Sequence, residues 1–121
     1  MLLVSAQPPQ TMMLSRALEQ GGYNVLSCAS GREAVLCLME TQTDLVLIND
    51  PLSDGSTLAL LQWLRARADT SQLVCFVIAK DGAAELYDAG ADLVITRPAE
   101  VDLLTRKVAA ALVRRAPSFV S

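Results

Sequence analysis

The 121-residue chain contains no histidine, and only 4% of its residues are aromatic. Histidine is the most common protein metal ligand and general base, so its absence argues against most zinc sites and most nucleophile–base pairs. The three cysteines, Cys28, Cys37 and Cys75, are widely spaced and lie within apolar runs, which predicts reduced, buried thiols in a cytoplasmic protein. We therefore expect no bound metal, no cofactor and no enzymatic activity.

Long hydrophobic stretches and an excess of positive charge are also missing. No apolar run reaches the roughly 18 residues of a membrane span. The N-terminal MLLVSA lacks the charged start and long apolar middle of a signal peptide. Because the net charge is −3, the domain has no basic surface for DNA or RNA. We expect no direct contact with membranes or nucleic acids.

Aliphatic residues dominate what is present. Hydrophobic residues make up 52% of the chain, so with few aromatics the core must consist of Leu, Val, Ala, Ile and Met. A chain of this length favours a single domain that buries roughly two-thirds of its unfolded surface.

Short apolar runs alternate with longer segments of helical periodicity. The predicted strands are LLV (2–4), YNVLSCA (23–29), LVLIN (45–49), LVCFVIA (73–79) and DLVIT (92–96). Five helices are predicted: over 12–20, from a cap at Ser30, from 57 to about 67, over 81–90 with Asp81 as the cap, and from 99 to about 115. In the second helix Val35, Leu38 and Met39 should share the buried face. In the third helix Leu58, Leu61 and Leu64 should do so.

This (βα)5 order predicts an α/β fold: a doubly wound, parallel five-stranded sheet of the flavodoxin-like type, with right-handed crossovers and strand order 2-1-3-4-5. Ligands in such sheets bind at the carboxyl ends of the strands, where the first and third strands meet. Ser5 and Ala6 should therefore lie beside Asn49 and Asp50.

Three stretches, in order and at matching spacing, resemble the receiver domain of bacterial two-component response regulators. They are ALEQGGYNVLSCASGREAVLCL (17–38), TDLVLINDPLSDGSTLALL (43–61) and AGADLVITRPAEVDLL (89–104). The resemblance implies a receiver-like domain over 1–115, followed by a tail or the start of a linker at 116–121. The segment before AGAD is about three residues shorter than is usual in the family, so a short or displaced fourth helix is expected.

The resemblance implies a degenerate phosphoacceptor pocket. The resemblance places Ser5 and Ala6 where the family has two acids, Asn49 at the phosphoacceptor aspartate, Ile78 at the hydroxyl position and Arg97 at the lysine. Mg²⁺ is bound through carboxylates, and an amide is a far poorer nucleophile than a carboxylate. We therefore expect neither Mg²⁺ binding nor phosphorylation at this pocket.

Two nearby acids and the arginine leave alternatives open. Asp50 is an alternative acceptor, although a shift of one residue turns its side chain to the opposite sheet face. Asp50 and Asp54 can instead begin turns or cap the third helix. Arg97 is either solvated or paired with an aspartate, or it retains an anion site beside Pro98, where the resemblance implies a cis Arg97–Pro98 bond.

A possible interaction surface involves the fifth strand and last helix. Val94 occupies the family's aromatic switch position, and Leu103, Ala110 and Val113 lie off the main apolar stripe of the helix. These three residues either extend a protein contact or merely flank the core.

The sequence thus favours an atypical, phosphorylation-independent receiver domain. It would act as a protein-interaction or dimerisation module, with a homodimer expected, in bacterial signal transduction or transcription control. Two alternatives remain: a small-molecule-sensing pseudo-receiver with an unspecified ligand, and a phosphorylated regulator that uses Asp50.

Overall fold

The computed structural model describes residues 1–115, so the tail predicted at 116–121 lies outside the described residues. Strands β1 to β5 span Leu2–Ser5, Leu26–Cys28, Leu45–Asn49, Val74–Ala79 and Leu93–Thr96. Helices α1 to α5 span Pro8–Gln20, Gly31–Glu40, Thr57–Ala66, Ala83–Ala89 and Val101–Arg115. Within the described part of the chain, every helix is too short or too polar to cross a membrane.

The five strands form one parallel sheet in the order β2-β1-β3-β4-β5, which confirms the predicted fold class and strand order. Ser5 is paired with Asn49, and Asn49 is paired with Ile78 on the next strand. Three of the five pocket positions therefore lie in one row across the carboxyl end of the sheet.

The sheet separates two aliphatic cores. One core packs under α2, α3 and α4 and includes Val46, Ile48, Leu61 and Leu64. The other packs under α1 and α5. All five residues of β3 are buried, which explains its nearly continuous apolar sequence.

The second helix begins with the predicted cap. The Ser30 Oγ accepts a hydrogen bond from the backbone N–H of Glu33 at 3.1 Å, and the Glu33 carboxylate accepts one from the Ala29 N–H at 3.3 Å. These bonds satisfy donors that a helix N terminus leaves without partners. The fourth helix ends at Gly90, whose backbone lies in the left-handed region at φ 119°.

Several predicted boundaries were wrong. Helix α1 begins at Pro8 rather than Met12, because a proline in the first helical turn lacks only an N–H that would have no partner there. Strand β2 has three residues instead of seven. The cap of α4 is Gly82 rather than Asp81, and no side chain caps this helix. As predicted, α4 is short, with seven residues.

Two helices also face the core differently from the prediction. Met39 and Leu58 are exposed, at 60% and 40%. Ala34 lies inside α2 with Leu38, and Leu60 lies inside α3. The helical period permits more than one apolar stripe in each of these helices, and packing against the sheet selects the stripe that is buried.

Candidate functional site

Asn49 ends β3 and is the centre of the site. Its side chain is buried, with 1% of the residue exposed. The amide nitrogen donates hydrogen bonds to the Ser5 Oγ at 3.1 Å and to the Gln10 Oε1 at 2.9 Å. The amide oxygen accepts a hydrogen bond from the Arg97 Nη2. Both N–H groups and the carbonyl oxygen of this amide are therefore paired, and we call these four residues the Asn49 network.

Four different elements bring the Asn49 network together. Parallel pairing of β1 with β3 sets Ser5 beside Asn49. The early start of α1 brings Gln10 over the end of the sheet. Arg97 follows β5, where its backbone N–H donates to the Ala79 carbonyl at 3.0 Å. The Arg97–Pro98 bond is cis, as the resemblance implied.

The remaining two pocket positions contribute no polar side chain. Ile78 is 3% exposed and packs into the core under α1 and α5. Ala6 directly follows β1 and is half-buried. The structure therefore brings Ser5, Asn49, Ile78 and Arg97 together at the carboxyl end of the sheet, and Ala6 follows Ser5 in the chain.

The oxygen atoms at the carboxyl end of the sheet do not suit Mg²⁺ as ligands. The ion binds mainly carboxylate, phosphate and water oxygens, yet the oxygens of the Asn49 network are neutral. The Asn49 oxygen already faces a guanidinium, which would repel a second cation. Among residues 1–115, no three side chains of the His, Cys, Asp and Glu types are grouped so that they could hold a metal ion.

Asp50 points to the other side of the sheet. Its backbone N–H donates to the Ile78 carbonyl at 2.9 Å, while its carboxylate accepts a hydrogen bond from the Thr57 hydroxyl at 2.6 Å. Thr57 opens α3, whereas Gln10 of the Asn49 network lies on α1, across the sheet. The carboxylate of Asp50 thus serves the start of α3 and is separate from the Asn49 network.

Asp54 lies in a turn, one of the two predicted alternatives, and its carboxylate binds the start of α2 rather than capping α3. Its carboxylate accepts hydrogen bonds from the Ser56 hydroxyl and from the N–H groups of Gly31 and Arg32, the latter two at 3.3 and 3.4 Å. The Ser56 hydroxyl first, and the two amides after it, lower the pKa of Asp54. A charged carboxylate at a helix N terminus is also favoured by the helix dipole.

The cysteines are free, as predicted, but only Cys75 is buried, while Cys28 and Cys37 are half-buried. Burial raises the pKa of both Cys28 and Cys75 to about 12. Since the thiolate is the reactive form, both side chains are poor nucleophiles at neutral pH.

The residues considered for a contact surface do not share one face. Leu103, Ala110 and Val113 are exposed on α5, with Val113 75% exposed. Val94 packs against the core on the opposite side of the sheet, under α3 and α4. Its N–H, on the edge strand β5, donates to the Tyr87 hydroxyl at 3.0 Å.

Gln10 is the member of the Asn49 network that sequence reasoning missed. The apolar stripe predicts a helix only from Met12, so it assigns Gln10 to no element. The signal that could have found it is the Pro8-Pro9 pair, because two prolines are well suited to the first turn of a helix.

Comparisons with known proteins agree on one family. The model of the response regulator receiver domain matches residues 1–109. The probable transcriptional regulatory protein TcrX of Mycobacterium tuberculosis is 28% identical over 116 residues, which cover 93% of this chain and 49% of that protein. The phosphate regulon transcriptional regulatory protein PhoB of Klebsiella pneumoniae is 28% identical over 123 residues, covering 98% of this chain and 54% of that protein.

This chain spans about half the length of both curated relatives. Among solved structures, the receiver domain of a signal transduction histidine kinase from Syntrophus aciditrophicus superposes with a TM-score of 0.87. It is 28% identical, and the match covers 99% of this chain and 96% of that one. Receiver domains are regulatory modules of signal transduction rather than enzymes. The chain belongs to the response regulator receiver domain family.

Proposed function

We propose that this chain is a phosphorylation-independent receiver domain that acts in the bacterial cytoplasm through protein contact. The observation that carries the proposal is the paired state of Asn49, whose amide is hydrogen-bonded to Ser5, Gln10 and Arg97. A phosphoacceptor needs an ionised oxygen that can attack phosphorus, and the amide of Asn49 offers none.

Electrostatics supports the same conclusion. Phosphoryl transfer depends on positive charge that neutralises the negative charge developing on the phosphoryl oxygens. A divalent metal ion supplies most of that positive charge. Each missing charge pair at 4 Å removes roughly 4 kcal/mol even at an effective dielectric of 20. Three neutral residues, Ser5, Ala6 and Asn49, stand in the positions from which the family's acids would hold that ion.

The output we propose is control of transcription through a protein partner or a second copy of the chain. Two relatives of 28% identity are named as transcriptional regulatory proteins, and this chain matches about half of each. The exposed apolar side chains of α5, Leu103 and Val113 with Ala110, are the surface we propose for self-association.

A conventional regulator phosphorylated on Asp50 is the second candidate. Asp50 immediately follows β3 and keeps a carboxylate near the pocket. Its carboxylate is hydrogen-bonded to the Thr57 hydroxyl of α3, whereas Arg97 lies beside residues of α1, and both facts weigh against that role.

A phosphorylation assay separates these two candidates. The chain is incubated with a small-molecule phosphodonor and Mg²⁺, and its intact mass is measured. We expect no added phosphoryl group on the natural chain or on Asp50→Asn, and phosphorylation of the variant carrying Ser5→Asp, Ala6→Asp and Asn49→Asp. A phosphorylated natural chain that loses the modification in Asp50→Asn would establish the second candidate instead.

Self-association is tested by sedimentation equilibrium. If α5 forms the dimer surface, Val113→Glu should raise the dimer dissociation constant at least tenfold, because the contact would have to bury a charge. Leu36→Glu is the matched control, since Leu36 is an exposed aliphatic residue, at 57%, on α2. A natural chain that remains monomeric, or equal effects of the two variants, would refute the α5 interface.

A further inference from the structure

A cleft adjoins the Asn49 network on the side of α1. It encloses about 500 Å³ between α1, the end of β4 and the segment that follows β5. Ligand pockets in proteins typically enclose roughly 300–1,000 Å³, so the volume suits a small organic molecule.

The walls of this cleft are mainly apolar. Leu14 and Ile78 are buried side chains of the core, and Met13 and Pro98 are exposed beside them. Ile78 matters most here, because it puts a hydrocarbon wall at the position where the family has a hydroxyl. A wall of this kind gains from contact with an apolar group and gives no hydrogen bond to phosphate.

The charged side chains that line the cleft are all positive. Lys80 and Arg97 line it, and no acidic residue does. Neither cation forms a salt bridge with a residue in the described part of the chain, where the ion pairs are Arg65–Asp92 and Arg67–Asp69. Arg97 uses Nη2 for Asn49, and its other guanidinium N–H groups have no acceptor within residues 1–115.

We propose that this cleft binds a small organic carboxylate with an apolar body. The carboxylate lies between Lys80 and Arg97, whose planar guanidinium is suited to two parallel hydrogen bonds to such a group. The apolar body lies against Met13, Leu14 and Ile78. This binding does not require phosphorylation and does not depend on a dimer, so it stands or falls separately from the proposed function.

Matched probes test the charge requirement. The ¹⁵N-labelled natural chain is titrated with 1-naphthoate and with decanoate, and separately with 1-naphthalenemethanol and decanol, which have similar bodies without charge. We expect saturable shifts of the backbone amides of Leu14, Ile78, Lys80 and Ala99 with at least one carboxylate. That carboxylate should bind at least about tenfold more tightly than its alcohol.

Charge-removing variants then locate the site. Arg97→Gln should weaken the carboxylate about tenfold and Lys80→Gln about threefold, because the exposed lysine is better screened. Arg32→Gln and Lys107→Gln, which remove the same charges from exposed positions outside the cleft, should leave the affinity unchanged. Lys80→Gln keeps the test valid if Arg97→Gln fails to fold.

Three results would overturn the proposal. The first is the absence of saturable shifts with either carboxylate. The second is equal affinity for a carboxylate and its alcohol, which would mean apolar contact alone. The third is a loss of affinity in Lys107→Gln as large as that in Lys80→Gln, which would mean nonspecific attraction of anions.

Discussion

At the scale of single residues, the amide of Asn49 pairs with three neighbours at once. An amide both donates and accepts, so Asn49 can satisfy Ser5, Gln10 and Arg97 together. An ionised carboxylate only accepts, so an aspartate at this position would need Ser5 and Gln10 to turn their own donors toward it. The four side chains of the Asn49 network are therefore paired with one another.

Asn49→Ala tests how much this network contributes to stability. We expect the free energy of unfolding to fall by about 1–3 kcal/mol, because Ser5 is buried and loses its partner. Asn24→Ala, at an exposed asparagine, should change it by no more than about 0.5 kcal/mol. Chemical denaturation of both variants measures the difference, and equal effects would mean that the network is energetically unimportant.

Asp54 makes stability depend on pH in the acid range. Its pKa is lowered in the folded state, so its contribution is present above the unfolded pKa of about 4 and is lost as the pH falls through the lowered folded value. We expect the Tm of the natural chain to fall more steeply below pH ~4 than that of Asp54→Asn, which cannot titrate. Ser56→Ala should also reduce the steepness, and identical pH profiles would contradict this assignment.

At the scale of elements, strands were easier to predict than helix faces. LVLIN was predicted with the bounds that the structure gives, because a buried parallel strand is apolar on both faces. The second strand was predicted too long, since alternation at Tyr23 and Val25 also occurs where the chain forms no ladder. Helices offered several apolar stripes, and only packing against the sheet selects among them.

Side-chain clamps between elements could not be predicted at all. Arg65 of α3 donates to the carbonyl groups of Ser71, Leu73 and Gly90 and pairs with Asp92 at 2.9 Å. In the sequence, Arg65 is indistinguishable from any charged residue near the end of a helix. Strand pairing is easier to predict, because the expected register does place Ser5 beside Asn49, and Asn49 beside Ile78.

The Tyr87 hydroxyl accepts a hydrogen bond from a backbone N–H of the edge strand β5. The substitution Tyr87→Phe removes only this hydroxyl. The Val94 N–H then loses its acceptor, so we expect faster hydrogen exchange at Val94 and a loss of about 0.5–1.5 kcal/mol in unfolding free energy. Tyr23→Phe is the control, because Tyr23 packs against the core under α1 and α5. Unchanged exchange at Val94 would show that the hydroxyl does not hold this edge.

At the scale of the whole molecule, fold and pocket chemistry are separable. The two cores lie on either side of the sheet beneath the helices, whereas Ser5 and Asn49 lie at the carboxyl ends of their strands and Ala6 directly follows β1. Substitutions at Ser5, Ala6 and Asn49 therefore change the chemistry without removing the aliphatic contacts that hold the sheet.

The most direct test of the central claim is a Mg²⁺ titration of the natural chain, followed by the backbone amide resonances of Ser5, Ala6 and Asn49. The chain carrying Ser5→Asp, Ala6→Asp and Asn49→Asp is the positive control, since it restores carboxylates at the three positions. The account predicts saturable shifts at these residues in the control and none in the natural chain. Saturable Mg²⁺ binding by the natural chain at this edge of the sheet would contradict it.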